Sequence, residues 1–453
     1  MIDGWTVLRK LSRRKKTQAS TNGINGTTAT TATTGTNTKT NTHSNDTVTP
    51  ETMKQVAVPD TQTILLLYGP KQPYKLVEDY PVPKIQSESE VLVKTRAIGL
   101  NPIDWKAPDF NFAIPELPYI SGRELSGDVC QVSGTSSRLQ VGDRVIAIST
   151  DYRDPRKAAY QEFVVTFDYN AVRLPPSLSY EEGSTLGVAF VAASLALGVC
   201  MGVDFSDVAN GPDLLKIVKT VDPDSIPEDV RVESLSGISE RERAKPGDWI
   251  AVWGGSATSA NLIVQLARVA GLKVATIVDS AKHGLRISNH KSIRPDLMID
   301  SHDPQRAVEI LRANVRDELR FGIDTRGKDT AAKLLEALTN KGTSRGSEPP
   351  SPPATPRTSP SLSAHLIGLT GLPKPGATEE VVMHSVPIKL FHEVPAVGHA
   401  LVTWLERLLE QGLVSPPEII DIEEGLENVN SGLDRMRRGD ISGGKLIVRL
   451  DDE

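Results

Sequence analysis

The stretch Ile250-Ala-Val-Trp-Gly-Gly-Ser-Ala-Thr-Ser-Ala260 decides the fold. An apolar strand runs into a turn of small residues, and an amphipathic helix continues from it through Gln265, Leu266 and Ala267. Small residues at Gly254, Gly255, Ser256, Ala257 and Thr258 let the backbone come close to a phosphate. The helix that follows offers unpaired N–H groups and the positive end of its dipole, which together make a pyrophosphate site. The stretch lacks a full G-x-G-x-x-G, with Ser256, Ser259 and Ala260 where further glycines would stand. Taken alone, it reads equally well as a tight strand–helix turn.

Its surroundings extend the pattern. Residues 249–253 and 273–278 read as buried strands with a helix over 259–270 between them. Short strands are expected at 297–300, 321–324 and 365–369, with helices at 304–316 and 331–338. Strands alternating with helices predict a doubly wound parallel sheet. In such a sheet the ligand lies beyond the carboxyl ends of the strands, which nominates Asp324 at one strand end. At the end of the second strand, Asp279 would accept from a ribose diol, whereas Lys282 or His283 would favour a 2′-phosphate.

Upstream, strand-like runs at 63–68, 90–97, 127–132, 143–148 and 161–166 are separated by Pro, Gly and Asp turns, an irregular β-rich unit. After Ser179, a plausible N-cap, the pattern turns helical, and the Ala- and Gly-rich run 186–203 reads as a buried helix. Residues 204–244 are acidic and proline-containing without sustained periodicity, which predicts a surface insertion. The proline-rich residues 341–363 predict a second one. Residues 1–61 are expected to lie outside the fold. They open with a basic segment and continue as a Thr/Asn/Ser-rich tract with almost nothing to bury, either a solvated tail or an organelle-targeting or membrane-surface segment.

The 51 Lys and Arg against 57 Asp and Glu give no electrostatic reason to expect a nucleic-acid partner. No apolar run reaches the roughly 18 residues that suggest a membrane span. Two cysteines, Cys130 and Cys200, exclude a disulfide framework and a multi-cysteine zinc site, and fit a reducing compartment such as the cytoplasm. His384 and His392 are too far apart for a helical-face metal pair, and neither is read as a ligand.

Five ordered segments resemble the medium-chain dehydrogenase/reductase superfamily. They are Gly99-Leu-Asn-Pro-Ile-Asp-Trp-Lys106, Gly122-Arg-Glu-Leu-Ser-Gly-Asp-Val129, Val141-Gly-Asp-Arg-Val145, Lys245-Pro-Gly-Asp-Trp249 and Arg438-Gly-Asp-Ile-Ser-Gly-Gly-Lys-Leu-Ile-Val-Arg-Leu450. The branch they look most like is the zinc-free quinone reductases and trans-acting enoyl reductases, including fungal alcohol dehydrogenase-like proteins. The resemblance implies a GroES-like β-rich catalytic domain split between residues 62–185 and 390–453. A Rossmann-type domain over 186–389 would be inserted between them, carrying both insertions. It implies a nicotinamide cofactor, NADPH in preference to NADH, with backbone at Leu369 and Thr370 along the nicotinamide and Lys445 within reach of cofactor or substrate. It implies a small-molecule substrate and leaves a homodimer or a monomer open.

The departures shape the chemistry. Zinc-dependent relatives carry a cysteine where Asn101 stands and a histidine where Arg123 stands, and an arginine is permanently protonated. No metal site is therefore expected. Direct hydride transfer to a conjugated carbonyl compound or a quinone remains, with the protein supplying orientation. Phe112 stands near the place of the tyrosine that related enoyl reductases carry, which leaves Asn101, Asp104 and Lys106 as the candidate catalytic groups. The rival expectation is a non-catalytic dinucleotide-binding or scaffolding member of the same fold.

Overall fold

The computed structural model describes residues 57–134, 137–339, 362–374 and 381–450. The expected N-terminal tail up to residue 56 and nearly all of the proline-rich insertion at 341–363 lie outside them. Strands β1 (Thr61–Leu66) and β2 (Lys75–Pro81) form an antiparallel ribbon. Strand β3 (Glu90–Gly99) leads into helix α1 (Pro102–Phe110), and β4 (Glu124–Val132), β5 (Arg144–Ile148), β6 (Phe163–Phe167) and β7 (Ala171–Arg173) follow. β3 is the hinge of this antiparallel sheet, since β4 and β6 both pair with it.

Next comes an almost wholly apolar helical stretch. α2 (Tyr180–Gly183) is opened by a Ser179 capping box, and α3 (Gly187–Leu195) runs into a π-helical turn, Ala196–Cys200. Contrary to the expectation that no apolar run is long enough to span a membrane, Tyr180–Cys200 is, alone among the described residues, because its helical turns run on without a break; 89% of its apolar window is buried inside the protein. Residues 204–244 are not a surface insertion. They fold as α4 (Leu214–Thr220) and α5 (Glu228–Ser236), and Leu214, Leu215, Val218, Ile226 and Ile238 are buried in the main core. Their short helices are broken by Pro223 and Pro227, so no periodicity long enough to read survives in the sequence.

Strands β8 (Trp249–Trp253), β9 (Lys273–Val278), β10 (Leu297–Asp300), β11 (Leu319–Asp324), β12 (Ala364–Gly368) and β13 (Val381–Ser385) build a wholly parallel sheet. Its order is β10-β9-β8-β11-β12-β13, so the direction of winding reverses between β8 and β11. Helices α6 (Thr258–Val269), α7 (Ser280–Asn289), α8 (Pro304–Val315) and α9 (Lys328–Leu338) make the crossovers. β8 is apolar throughout because α6 and α9 cover the sheet around it, leaving no side chain of its interior in water.

The chain then returns through α10 (Leu390–Glu393) and α11 (Pro395–Glu410), whose buried Trp404 packs 4.5 Å from Phe205 and donates to the Val208 carbonyl at 3.1 Å. Strand β14 (Ile419–Glu424), helix α12 (Val429–Arg438) and strand β15 (Lys445–Arg449) close the first sheet. β15 lies antiparallel to β3, with Ile447 opposite Gly99, and parallel to β14. The first sheet is thus assembled from both ends of the chain, a GroES-like sheet with a Rossmann-like parallel sheet between its two parts.

Candidate active site

The reversal between β8 and β11 is where the small-residue turn sits. Gly254 has a φ of +86°, and the Ile277 carbonyl accepts from both Gly254 N–H (3.0 Å) and Gly255 N–H (3.1 Å). A Cβ on Gly254 would stand 2.3 Å from Thr325 Oγ1, so no other residue fits the turn unchanged. α6 starts at Thr258 with no side chain capping it, and Ser256, Ala257, Thr258 and Ser259 are half-exposed. Its first N–H groups are therefore available to an anion.

Across the reversal, Asp324 is fully buried at the end of β11. Its Oδ1 accepts from Arg326 N–H at 2.9 Å and Gly327 N–H at 2.7 Å, while Oδ2 has no hydrogen-bond partner. Burial raises its pKa, opposed by the nearby Thr330 hydroxyl and by those two N–H donors. Leu369 N–H donates to the Asp324 carbonyl at 2.9 Å, which fixes half-buried Leu369 and exposed Thr370 on the same side of the crevice.

At the end of β9, Asp279 caps α7, accepting from Lys282 N–H at 2.9 Å, and the Lys282 side chain is exposed. The structure adds two residues that the sequence reading missed. Asp300 accepts from Ser280 N–H at 3.0 Å, and His302 lies 2.9 Å from Asp300 and 3.7 Å from Asp279. They stand at the end of the neighbouring strand, a place that strand order supplies and chain order does not. His283 is buried against Ser442, with its pKa held down by burial, and so is not an exposed partner for a 2′-phosphate.

The floor of the crevice is polar and closed. Lys445 and Glu124 form an ion pair with both side chains buried, and Lys445 Nζ also donates to Asn101 Oδ1 at 3.2 Å. Asn101 Nδ2 donates to Glu124 at 2.8 Å, and the other Glu124 oxygen accepts from Val188 N–H at 2.9 Å. Lys445 is therefore neither a surface lysine nor a free cation. One residue earlier, the Gly444 carbonyl accepts from Thr258 Oγ1 at 3.5 Å, which joins this floor to the phosphate turn.

Asp104 lies beneath Asn101, accepting its N–H at 2.8 Å in the capping box of α1. Burial pushes its carboxyl up to about 6, opposed by that N–H, Arg123, Tyr160 and Lys445. Arg123 is buried with its guanidinium 5.7 Å from the Tyr152 ring centre. Lys106 is not brought to this cluster, because its ammonium lies 5.6 Å over the ring of its neighbour Trp105.

A raised carboxylate pKa has a definite sign. The folded state holds the Asp104 proton more tightly than the unfolded chain, so this group costs stability increasingly as pH rises from near 4 through about 6. Asp104→Asn is expected to be more stable than the parent at pH 7.5, by at most about 3 kcal/mol, and that margin should shrink to about a third near pH 4.5, where the unfolded carboxyl is still mostly ionised. Urea unfolding at the two pH values checks this; equal differences at both would show that the carboxyl does not titrate as stated.

The fold and site define a class: a GroES-like sheet and a Rossmann-like parallel sheet meeting at a glycine turn over a buried polar floor. Residues 87–176 match the family described as alcohol dehydrogenase GroES-like domain. The chain is 24% identical over 396 residues to the trans-enoyl reductase buaC of Petromyces alliaceus, covering 87% of this chain and 98% of that one. Among solved structures, the quinone oxidoreductase from Coxiella burnetii superposes with a TM-score of 0.58 at 18% identity, covering 86% of this chain and 100% of the other. A mycobacterial protein, Rv1454c, solved in complex with NADPH, gives 0.60 at 16%, covering 86% and 99%. The chain is thus similar over most of its length to trans-enoyl reductases, and its first sheet carries a match to the GroES-like domain of alcohol dehydrogenases.

Proposed function

We propose that this protein is a zinc-independent, NADPH-dependent reductase of a conjugated carbonyl compound or a quinone. One observation carries the reading. The phosphate turn and the floor are joined through Thr258 and Gly444, and at the floor the positions of zinc ligands in relatives hold Asn101 and Arg123. Asn101 is spent on Glu124, Lys445 and the Gly99 carbonyl, and a guanidinium does not ligate a cation. That donor set does not fit a catalytic zinc.

It does fit a dinucleotide. The Gly254 cradle and the uncapped start of α6, with N–H groups around Ser256 and Thr258, would hold the pyrophosphate, the Ala257 N–H being spent on the Gly254 carbonyl at 2.9 Å. Lys282, exposed beside Asp279, would hold a 2′-phosphate, and the backbone at Leu369 and Thr370 would line the nicotinamide. When bound, the cofactor supplies the hydride. The chain's own part is to orient the acceptor and to exclude water, above a floor that Lys445, Glu124 and Asn101 keep rigid. Asp104, sealed beneath Asn101, positions α1 and does not reach an acceptor. The proton then comes from water, as Phe112 offers no hydroxyl. The names of the relatives, trans-enoyl reductase and quinone oxidoreductase, support these two acceptor classes.

Titration with NADPH and with NADH, followed by quenching of tryptophan fluorescence, tests the reading, since Trp253 directly precedes the turn. NADPH is expected to bind with a Kd on the order of micromolar. Lys282→Ala is expected to weaken NADPH roughly tenfold, about 1.4 kcal/mol, and to leave NADH unchanged. Equal losses for both cofactors would remove Lys282 from the site. Binding of neither, by fluorescence and by calorimetry, would put the scaffolding alternative first.

A further inference from the structure

Outside the crevice, another polar cluster is buried where three separate segments meet. Cys200 ends the π-helical turn after α3, Glu233 lies on α5, and His384 lies on β13. Cys200 and His384 are fully buried, and the Glu233 side chain is 17% exposed. One sulfur, one carboxylate oxygen and one imidazole nitrogen from these three all lie within 4.8 Å of one another. His384 Nδ1 meets Glu233 Oε1 at 2.7 Å, and its Nε2 meets Nδ1 of buried His365 at 2.9 Å. His365 stacks on Phe321, 5.4 Å between ring centres.

Four features of this cluster match a metal centre. Thiolate, imidazole and carboxylate are the donor types that zinc(II) takes. A histidine ligand characteristically has its other ring nitrogen fixed by a hydrogen bond, as His365 fixes that of His384. A local π turn in an otherwise α-helical stretch is frequent at functional positions, and here it places Cys200. Two anionic ligands and one neutral one also cancel the charge of a divalent ion, so the filled site is neutral overall in a buried setting.

We propose that Cys200, Glu233 and His384 bind one zinc(II) ion, with water as the fourth ligand and His365 as the orienting partner of His384. On binding, the Cys200 thiol gives up its proton to solvent as the Zn–S bond forms. The ion ties the α4–α5 segment to β13 and is separate from the crevice chemistry. Its three ligands are far apart in the chain, so no local spacing in the sequence marks them.

The test is a cobalt(II) titration of the full chain after treatment with a chelator. One equivalent is expected to bind, with a thiolate-to-cobalt charge-transfer band and the visible bands of a tetrahedral site, all displaced by zinc(II). Cys200→Ser should abolish the charge-transfer band, and Cys130→Ser should leave it intact. Because Cys200 is a core residue, Glu233→Gln, at the partly exposed rim, is the second variant. It should weaken cobalt binding at least tenfold and remove the rise in melting temperature that zinc gives the parent. Failure of the parent to bind a stoichiometric ion, or a band that survives Cys200→Ser or disappears with Cys130→Ser, would overturn the proposal. So would an unchanged affinity in Glu233→Gln.

Discussion

Gly254→Val is expected to raise the NADPH Kd at least a hundredfold, roughly 3 kcal/mol. Two costs combine at this position. A φ of +86° is poorly tolerated by any residue with a Cβ, at about 1–2 kcal/mol, and worse by a branched one. The new Cβ would also stand 2.3 Å from Thr325 Oγ1 and 2.7 Å from Arg326 Cγ. Thr325 cannot turn aside freely, because its hydroxyl bonds the Trp253 and Gly254 carbonyls at 3.0 and 3.1 Å. The turn must therefore open, and with it the aim of the first N–H groups of α6. A companion, Thr258→Asp, leaves the turn intact and sets a carboxylate at the first position of α6, where it suits the helix dipole but repels a phosphate. It should fold normally and lose NADPH. Parent-like affinity in both folded variants would show that the dinucleotide does not bind at this turn.

Lys445→Met is expected to lower stability by about 3–5 kcal/mol, because it strands a buried carboxylate. Lys445 is 3% exposed and Glu124 is 0% exposed, so water cannot take over the lost charge. The remaining partners of Glu124, Asn101 Nδ2 and Val188 N–H, are neutral. In a chain of this size the loss corresponds to a fall in melting temperature of roughly 5 °C. Adding Glu124→Gln to Lys445→Met should recover more than half of it, since the stranded charge is gone. Thermal unfolding of the parent, both single variants and the double variant checks this. A loss under about 1 kcal/mol in Lys445→Met would show that the pair is not sealed from solvent.

Most of the parallel sheet was legible because its strands are buried on both faces and its helices are long enough to show their period. The expected strands at 249–253, 273–278 and 297–300 match β8, β9 and β10. What the sequence hid was of two kinds. Edge and ribbon strands such as β2, Lys-Leu-Val-Glu-Asp-Tyr-Pro, are mostly exposed, so no apolar alternation marks them. β14, at the rim of the first sheet, is similar. Long-range partners were the other kind. Gly254 and Asn101 could be singled out from local motifs, but that Lys445 would be held by Asn101 and Glu124 depends on β15 lying beside β3. Lys106 shows the converse: a motif put it in the right stretch, and the turn of α1 carried it to Trp105.

The placement of β15 has a consequence for how the chain is made. Asn101 and Lys445 are 344 residues apart, so at about 10 residues per second the ribosome needs on the order of half a minute between them. Throughout that interval the Ala97–Gly99 end of β3, which β15 pairs and β6 does not, is open on the nascent polypeptide, and Glu124 lacks Lys445. The parallel sheet, contiguous between the two, emerges complete inside the same interval. This protein's most exposed moment is therefore its own translation. An unpaired β3 edge is then the natural target for a chaperone, or for the equivalent edge on a neighbouring ribosome's product.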